Sequence, residues 1–293
     1  FGTEYSWATV GAAVIVTVLA ALVIIGGIQR IAKVSSVVVP FMAIAYVIIC
    51  LAVVIYNHER IPHAVVAIVQ SAFGIKAAAG GAIGAMLIAM QKGVARGIFS
   101  NESGLGSAPI AAAAAQTKEP VRQGLVTMTG TFIDTVCICT LTGLTIMTSG
   151  AYEYSMANNL EGVEVTAAAF GNGLPWAYSV GTFVLMAALA FFAFTTILGW
   201  DYYAERSLEY LTDNMKAVMV YRWIYILAVL IGPFLTVSAV WTIADIFNAF
   251  MAIPNLIALL ALSGVIVAET RSYFNRLNAG EIREFAPKEK KRK

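Results

Sequence analysis

The residues best equipped for chemistry sit together at Ser100–Ser107 (SNESGLGS), which carries hydroxyls, an amide, a carboxylate and two glycines. On either side lie stretches apolar enough to be membrane helix. A polar, glycine-bearing break between two such stretches survives in a bilayer only where it is buried in protein or lines a polar cavity, because unpaired backbone groups are costly in hydrocarbon. Gly104 and Gly106 let the backbone leave helical geometry without a Cβ clash. N–H groups freed at the start of a second half-helix suit a carboxylate, and C=O groups freed at the end of the first suit an ammonium group or Na⁺. A zwitterionic amino acid has one group for each end, although other small solutes fit the same pattern.

Around this break stand further candidates. Glu102 at a helix centre costs about 2.5–3.5 kcal/mol on insertion scales, so it faces the bundle interior. Its role is either ligand contact or an ion pair with Arg96 or Lys92 that fixes the break. Phe99 at the lip is a gate over a solute or a packing residue. Thr195 and Thr196 are adjacent hydroxyls in an apolar run, able to offer oxygens to Na⁺ or to bond back to their own helix. Thr196 shares a helix face with Trp200 at i, i+4 spacing. Asp134 and Asp245 are intramembrane acids that line a polar pathway or make buried hydrogen bonds, and Asp201 lies at the inner end of its span. With no phosphate-binding loop, no H-E-x-x-H zinc motif and no serine nucleophile elbow, the acids have no catalytic company. The reading is therefore a carrier and not an enzyme, with no cofactor beyond Na⁺ as coupling ion.

Composition sets the elements that must position these residues. The chain is 59% hydrophobic and 12% charged, against about 25% charged in soluble domains, so it is an all-α polytopic membrane protein. A span needs about 20 apolar residues. The hydrophobic pattern predicts spans over 8–28, 37–56, a broken one over 81–115, then 125–148, 176–200, 223–237 and 241–267. Pro62–Gly74 reads as a short amphipathic helix, and Ser149–Pro175 as a long polar loop with one helical piece near Val165–Phe170. Residues 1–270 form the transporter domain. Charge dominates from Glu269, and 271–293 form a basic tail with no reason to fold. Lys and Arg alternate between the loops (Arg30, Lys33, Lys118, Arg122, Arg206, Lys216, Arg222 and the tail on one side; Arg60 and Lys76 on the other), which puts the tail in the cytoplasm. The opening FGTEYSW, without a leading Met, reads as the middle of a longer protein. Cys50, Cys137 and Cys139 all fall in apolar runs and form no disulfide framework.

The stretch Gly93–Pro109 (GVARGIFSNESGLGSAP) closely resembles the signature of the alanine or glycine:cation symporters, the sodium:alanine symporter family. Gly26–Lys33, Pro120–Gly124, Phe132–Thr135, Thr195–Trp200 and Ile243–Asn255 look like the same family, and the likeness extends to about Thr270. This resemblance implies a LeuT-type inverted-repeat bundle in which the spans here are helices four to ten and the broken one is the sixth. It further implies that Phe99, Ser100, Asn101, Ser103, Thr196 and Trp200 lie near the amino acid, and that Thr195 and Thr196 supply a Na⁺ site. Helices one to three, and with them half of each site, would lie outside this sequence.

The expected function is Na⁺-coupled uptake of alanine or glycine by alternating access, in a multi-pass protein of the inner (plasma) membrane. Its partners are then the amino acid, Na⁺ and the lipid bilayer, with no nucleic acid. The alternatives are a H⁺-coupled or passive small-solute carrier and, further off, a channel or an intramembrane enzyme. Replacing Thr196 with Ala should remove the Na⁺ dependence of uptake; a H⁺-coupled carrier would keep its ion coupling unchanged in the same assay.

Overall fold

The structure is a computed structural model that describes residues 7–26, 28–74 and 81–282. The described residues are helical, with no strand among them. The helices are α1 (Trp7–Ile24), α2 (Ile28–Tyr56), α3 (Ile61–Ala72), α4 (Ala82–Asn101), α5 (Ala108–Ala112), α6 (Pro120–Phe132), α7 (Thr140–Thr148), α8 (Ala151–Asn158), α9 (Val163–Asn172), α10 (Tyr178–Thr212), α11 (Met215–Ile231), α12 (Val237–Ala261) and α13 (Ser263–Asn278). A π-helical stretch, Ile133–Cys139, joins α6 to α7 without a gap. Among the described residues, six helices are long and apolar enough to cross a membrane. The predicted first span corresponds to α1, which is apolar but shorter.

Tight packing is concentrated where α2, α7, α9 and α10 meet. Tyr46, Cys50, Ala167, Phe170 and Leu185 form one buried cluster, in which the rings of Tyr46 and Phe170 stack at 5.8 Å. The Tyr46 hydroxyl and Thr142 Oγ1 are 2.7 Å apart, so the one polar atom of that ring is satisfied. Gly181 lies against the backbone of Phe170, and a side chain at this position would collide with it. Asn57 Nδ2 donates to both Val53 O and Gly173 O, each at 2.8 Å, which closes α2 and pins the α9–α10 turn to it. A second cluster, Ala20, Ile24, Ile31 and Leu198, joins α1 and α2 to the middle of α10. By contrast, α4 and α12 present rows of exposed apolar side chains, among them Ile83, Leu87, Phe250 and Leu260.

Several boundaries differ from the sequence expectation for identifiable reasons. Helix α2 begins at Ile28 and not near 37, because Arg30 turns back to donate to Leu22 O at 3.0 Å and caps the end of α1. The loop Ser149–Pro175 holds two helices, α8 and α9, around buried Ala151, Ala168 and Ala169. Helix α11 starts earlier, at Met215, where Asn214 Oδ1 accepts from Lys216 N at 3.0 Å as its cap. The last span ends at Ala261, and after Leu262 the helix resumes as α13 to Asn278. The charged segment that reads as unfolded from Glu269 is thus helical for its first part. Tyr273 is buried there, and Arg276 reaches Glu119, the residue before α6, at 3.0 and 2.8 Å. Those hydrogen bonds hold the Arg276 guanidinium above its usual proton affinity. The tail beyond 282 and residues 75–80, with Lys76, lie outside the described residues.

Phe170 is 1% exposed at the junction of four helices. Phe170→Ala should lower stability by about 3–5 kcal/mol, read as an earlier thermal unfolding transition in detergent; an unshifted transition would contradict this core assignment.

Candidate functional site

Helix α4 ends at Asn101 because Glu102 turns left-handed, φ 53°, and its N–H reaches back only to Phe99 O at 3.4 Å. Gly104 and Gly106 follow at φ 83° and 81° before α5 begins at Ala108. The second half of the break is shorter than the sequence suggests, a single turn of five residues. Gly106 is required twice over. Its backbone is in the region that favours glycine, and a Cβ there would stand 3.0 Å from Asn255 Oδ1. Inside the break, Ser107, 1% exposed, donates from Oγ to Glu102 Oε2 at 2.9 Å. Tyr203 of α10 interacts with the same carboxylate. Glu102 therefore bonds within the break, near Tyr203 of α10, and its expected partner Arg96 pairs with Asp245 instead.

The last turn of α4 is fixed from two sides. Ser100 Oγ donates to Asp134 Oδ2, and Asn101 Nδ2 donates to Thr135 Oγ1, both at 2.6 Å. Both acceptors lie on the π-helical stretch, where widened turns change the direction in which side chains leave the axis, a feature common at functional sites. On the other side Arg96 Nη2 donates to Asp245 Oδ1 and Oδ2 of α12 at 2.9 and 2.7 Å. The guanidinium lies 4.3 Å from the Trp241 ring centre, and Phe99 meets that same ring edge-on at 5.6 Å. In this state, then, Phe99 is a packing partner of Trp241.

A cavity of about 600 Å³ opens beside the break, lined by Asn101, Glu102, Ser103, Gly106, Thr127 and Asn255 among others. Asn101 Oδ1 is buried there without a hydrogen-bond partner, leaving a carbonyl oxygen for a donor. The other candidate residues lie apart, on α10. Thr195 Oγ1 donates to Phe191 O and Phe192 O at 3.1 and 3.0 Å, and Thr196 Oγ1 to Phe192 O at 2.9 Å. Hydroxyls that give their proton to their own helix keep their lone pairs outward, free to accept a cation. Trp200 meets Tyr203 edge-on at 5.7 Å. The expected residues thus form two groups, one at the break and one on α10, which Tyr203 and Glu102 connect.

Sequence reasoning missed Asn255, Trp241, Thr135 and Tyr203. Asn255 follows Pro254, which interrupts the hydrogen-bond ladder inside α12, and that pairing of breaker and amide was a readable signal. Tyr203 and Thr135 carried no signal beyond adjacency to marked residues.

The sequence model of the sodium:alanine symporter family matches residues 1–287. The chain belongs to that family. It is 54% identical over 268 residues to an uncharacterized transporter of Haemophilus influenzae, covering 90% of this chain and 57% of that protein. It is 44% identical to the sodium/alanine symporter AgcS of Methanococcus maripaludis (92% of this chain, 57% of the relative). A probable sodium/glutamine symporter, GlnT of Bacillus subtilis, is 38% identical (88% and 52%). The chain spans a little over half the length of these relatives. The family is one of symporters, and the interruption at Glu102–Ser107 lies between helices α4 and α5 of this chain.

Gly106→Ala should destabilise by at least the ~1–2 kcal/mol that a left-handed backbone costs a residue with a Cβ. Adding Asn255→Ala should recover the steric part and leave the backbone part. Full recovery in the double variant, measured by thermal unfolding, would show the backbone strain to be absent.

Proposed function

We propose that the whole protein imports a small neutral amino acid, alanine or glycine, together with Na⁺. The observation that carries this reading is the helix interruption at Glu102–Ser107, beside a cavity that Asn101, Glu102 and Ser103 line, in a chain of the sodium:alanine symporter family. The name of AgcS supports alanine and Na⁺, while the name of GlnT, a probable sodium/glutamine symporter, shows that relatives differ in solute. Residues 1–270 act as the transporter domain, helices four to ten of a LeuT-type bundle with the break in helix six, and 271–293 as its cytoplasmic tail.

In this reading Asn101, Ser100 and Ser103 hold the polar groups of the amino acid, and Phe99 closes over it once it leaves Trp241. Thr196 and Trp200 form the opposite wall, and Thr195 with Thr196 offers oxygens to Na⁺. The remaining walls come from helices one to three. Coupling follows if Na⁺ binds the solute-competent state more tightly than the other, since equal binding to both would shift nothing. The protein then resides in the plasma membrane as a multi-pass carrier.

The test is uptake of labelled alanine into proteoliposomes holding the full-length protein, under an inward Na⁺ gradient and under equimolar K⁺. Accumulation that collapses when Na⁺ is equalised is expected, with unlabelled glycine competing and glutamine not. Equal uptake in both salts would overturn Na⁺ symport, and competition by glutamine would overturn the small solute.

A further inference from the structure

Helix α10 carries its apolar run as far as Trp200, and from Asp201 onward it turns polar. Asp201 nevertheless points inward. It is 0% exposed, and neither carboxylate oxygen has a hydrogen-bond partner. One turn further, Glu205 is 4% exposed and holds Arg222 of α11 through both oxygens, with Arg222 Nε on Oε1 and Nη2 on Oε2 at 2.9 Å. Arg222 is near enough to feel Asp201, yet the hydrogen bonds it makes go to Glu205. The Tyr225 hydroxyl is committed to Ile197 O at 2.8 Å, and Tyr221 lies near enough to feel both acids. The pocket therefore holds two carboxyls and one guanidinium.

Every other element packed on α10 leaves that balance unchanged. Helices α1 and α5 have no titratable side chain. The charged residues of α2 are Arg30, which caps α1 through Leu22 O, and Lys33, while its Tyr46, Cys50 and Tyr56 lie further along the helix. Glu164 belongs to α9, which meets the first half of α10 around Gly181 and Leu185. On α10 itself Arg206 pairs with Glu209 at 2.6 Å, and Tyr203 turns to Glu102. A buried carboxylate with no hydrogen-bond donor, beside a guanidinium already bonded to another acid, is costly to keep charged, so a neutral carboxyl is the form this pocket accommodates.

We propose that Asp201 is a proton-binding site, taking one proton from the cytoplasmic water and keeping it while α10 and α11 stay packed. The added O–H gives Asp201 a proton to share in a pocket that offers its carboxylate no donor, and the Glu205–Arg222 pair remains as the single ion pair beside it. Release of the proton sets two carboxylates against one guanidinium and loosens the α10–α11 contact. The site would make the inner end of the transporter sensitive to pH whatever solute it carries, so the proposal stands apart from the alanine and Na⁺ reading.

The test compares the full-length protein with Asp201→Asn, by thermal unfolding in detergent across pH 5 to 9 at fixed Na⁺. A folded state that holds a proton the unfolded chain gives up loses stability as pH rises. The wild type should thus lose up to about tenfold in its folding equilibrium for each pH unit, relative to Asp201→Asn, until Asp201 titrates. Infrared spectra should show the carbonyl stretch of a protonated carboxylic acid in the wild type that Asp201→Asn lacks. Asp201→Ser serves the same comparison if the Asn variant does not fold. Parallel pH curves with no carboxylic acid band lost would overturn the proposal. So would a stability that follows Na⁺ at constant pH and ceases to do so in Asp201→Asn, which would make Asp201 a cation ligand.

Discussion

A hydrogen-bonding group of the backbone cannot go unpaired in hydrocarbon, and this constraint governs everything around Glu102–Ser107. Six residues leave the helix there, and each neighbouring element meets some part of what they expose. Ser107 and Tyr203 engage the Glu102 carboxylate, Asn255 fills the space above Gly106, and Asp134 and Thr135 hold the turn before the break. The break is stable because three other helices are shaped to it. That arrangement also leaves one carbonyl oxygen, Asn101 Oδ1, with nothing to bind.

The irregularities occur opposite one another. The π-helical stretch at Ile133–Cys139 lies beside the last turn of α4, and the Pro254–Asn255 step of α12 lies beside Gly106. An unbroken helix would direct its side chains along a regular stripe, with few free acceptors at one level. Local departures from regular winding bring acids and amides to the depth at which the neighbouring helix needs them. The buried scaffold of α2, α7, α9 and α10 carries aromatic and small residues instead, which suits a part that must stay rigid while others move.

The break itself was legible because glycine, hydroxyl and charge inside an apolar run contradict a continuous span. Its partners were not. Arg96 and Asp245 are far apart in sequence, and spacing along one helix suggested Glu102 as the nearer acid, yet Arg96 pairs with Asp245 over Trp241. The helical start of the charged segment after Glu269 was hidden for a related reason. Its composition argues against a core, and its order comes from buried Tyr273 and a distant contact with Glu119. The small residues of Ala108–Ala115 suggested a longer half-helix than the single turn that forms, since high helix propensity does not by itself close a helix of this length. Of the two roles the sequence allowed Thr195 and Thr196, the structure shows the bond back to their own helix.

Helix α10 runs for 35 residues, about 52 Å at 1.5 Å per residue, whereas the hydrocarbon core is about 30 Å thick. Its surplus length makes it a lever. Between Thr196 and Thr212 lies an arm of roughly 24 Å, so a tilt of about 5° at the hydroxyl pair swings the far end sideways by about 2 Å. A movement at the height of the hydroxyls too small to break a single contact there becomes, at the far end of the helix, a displacement comparable to the size of a water molecule.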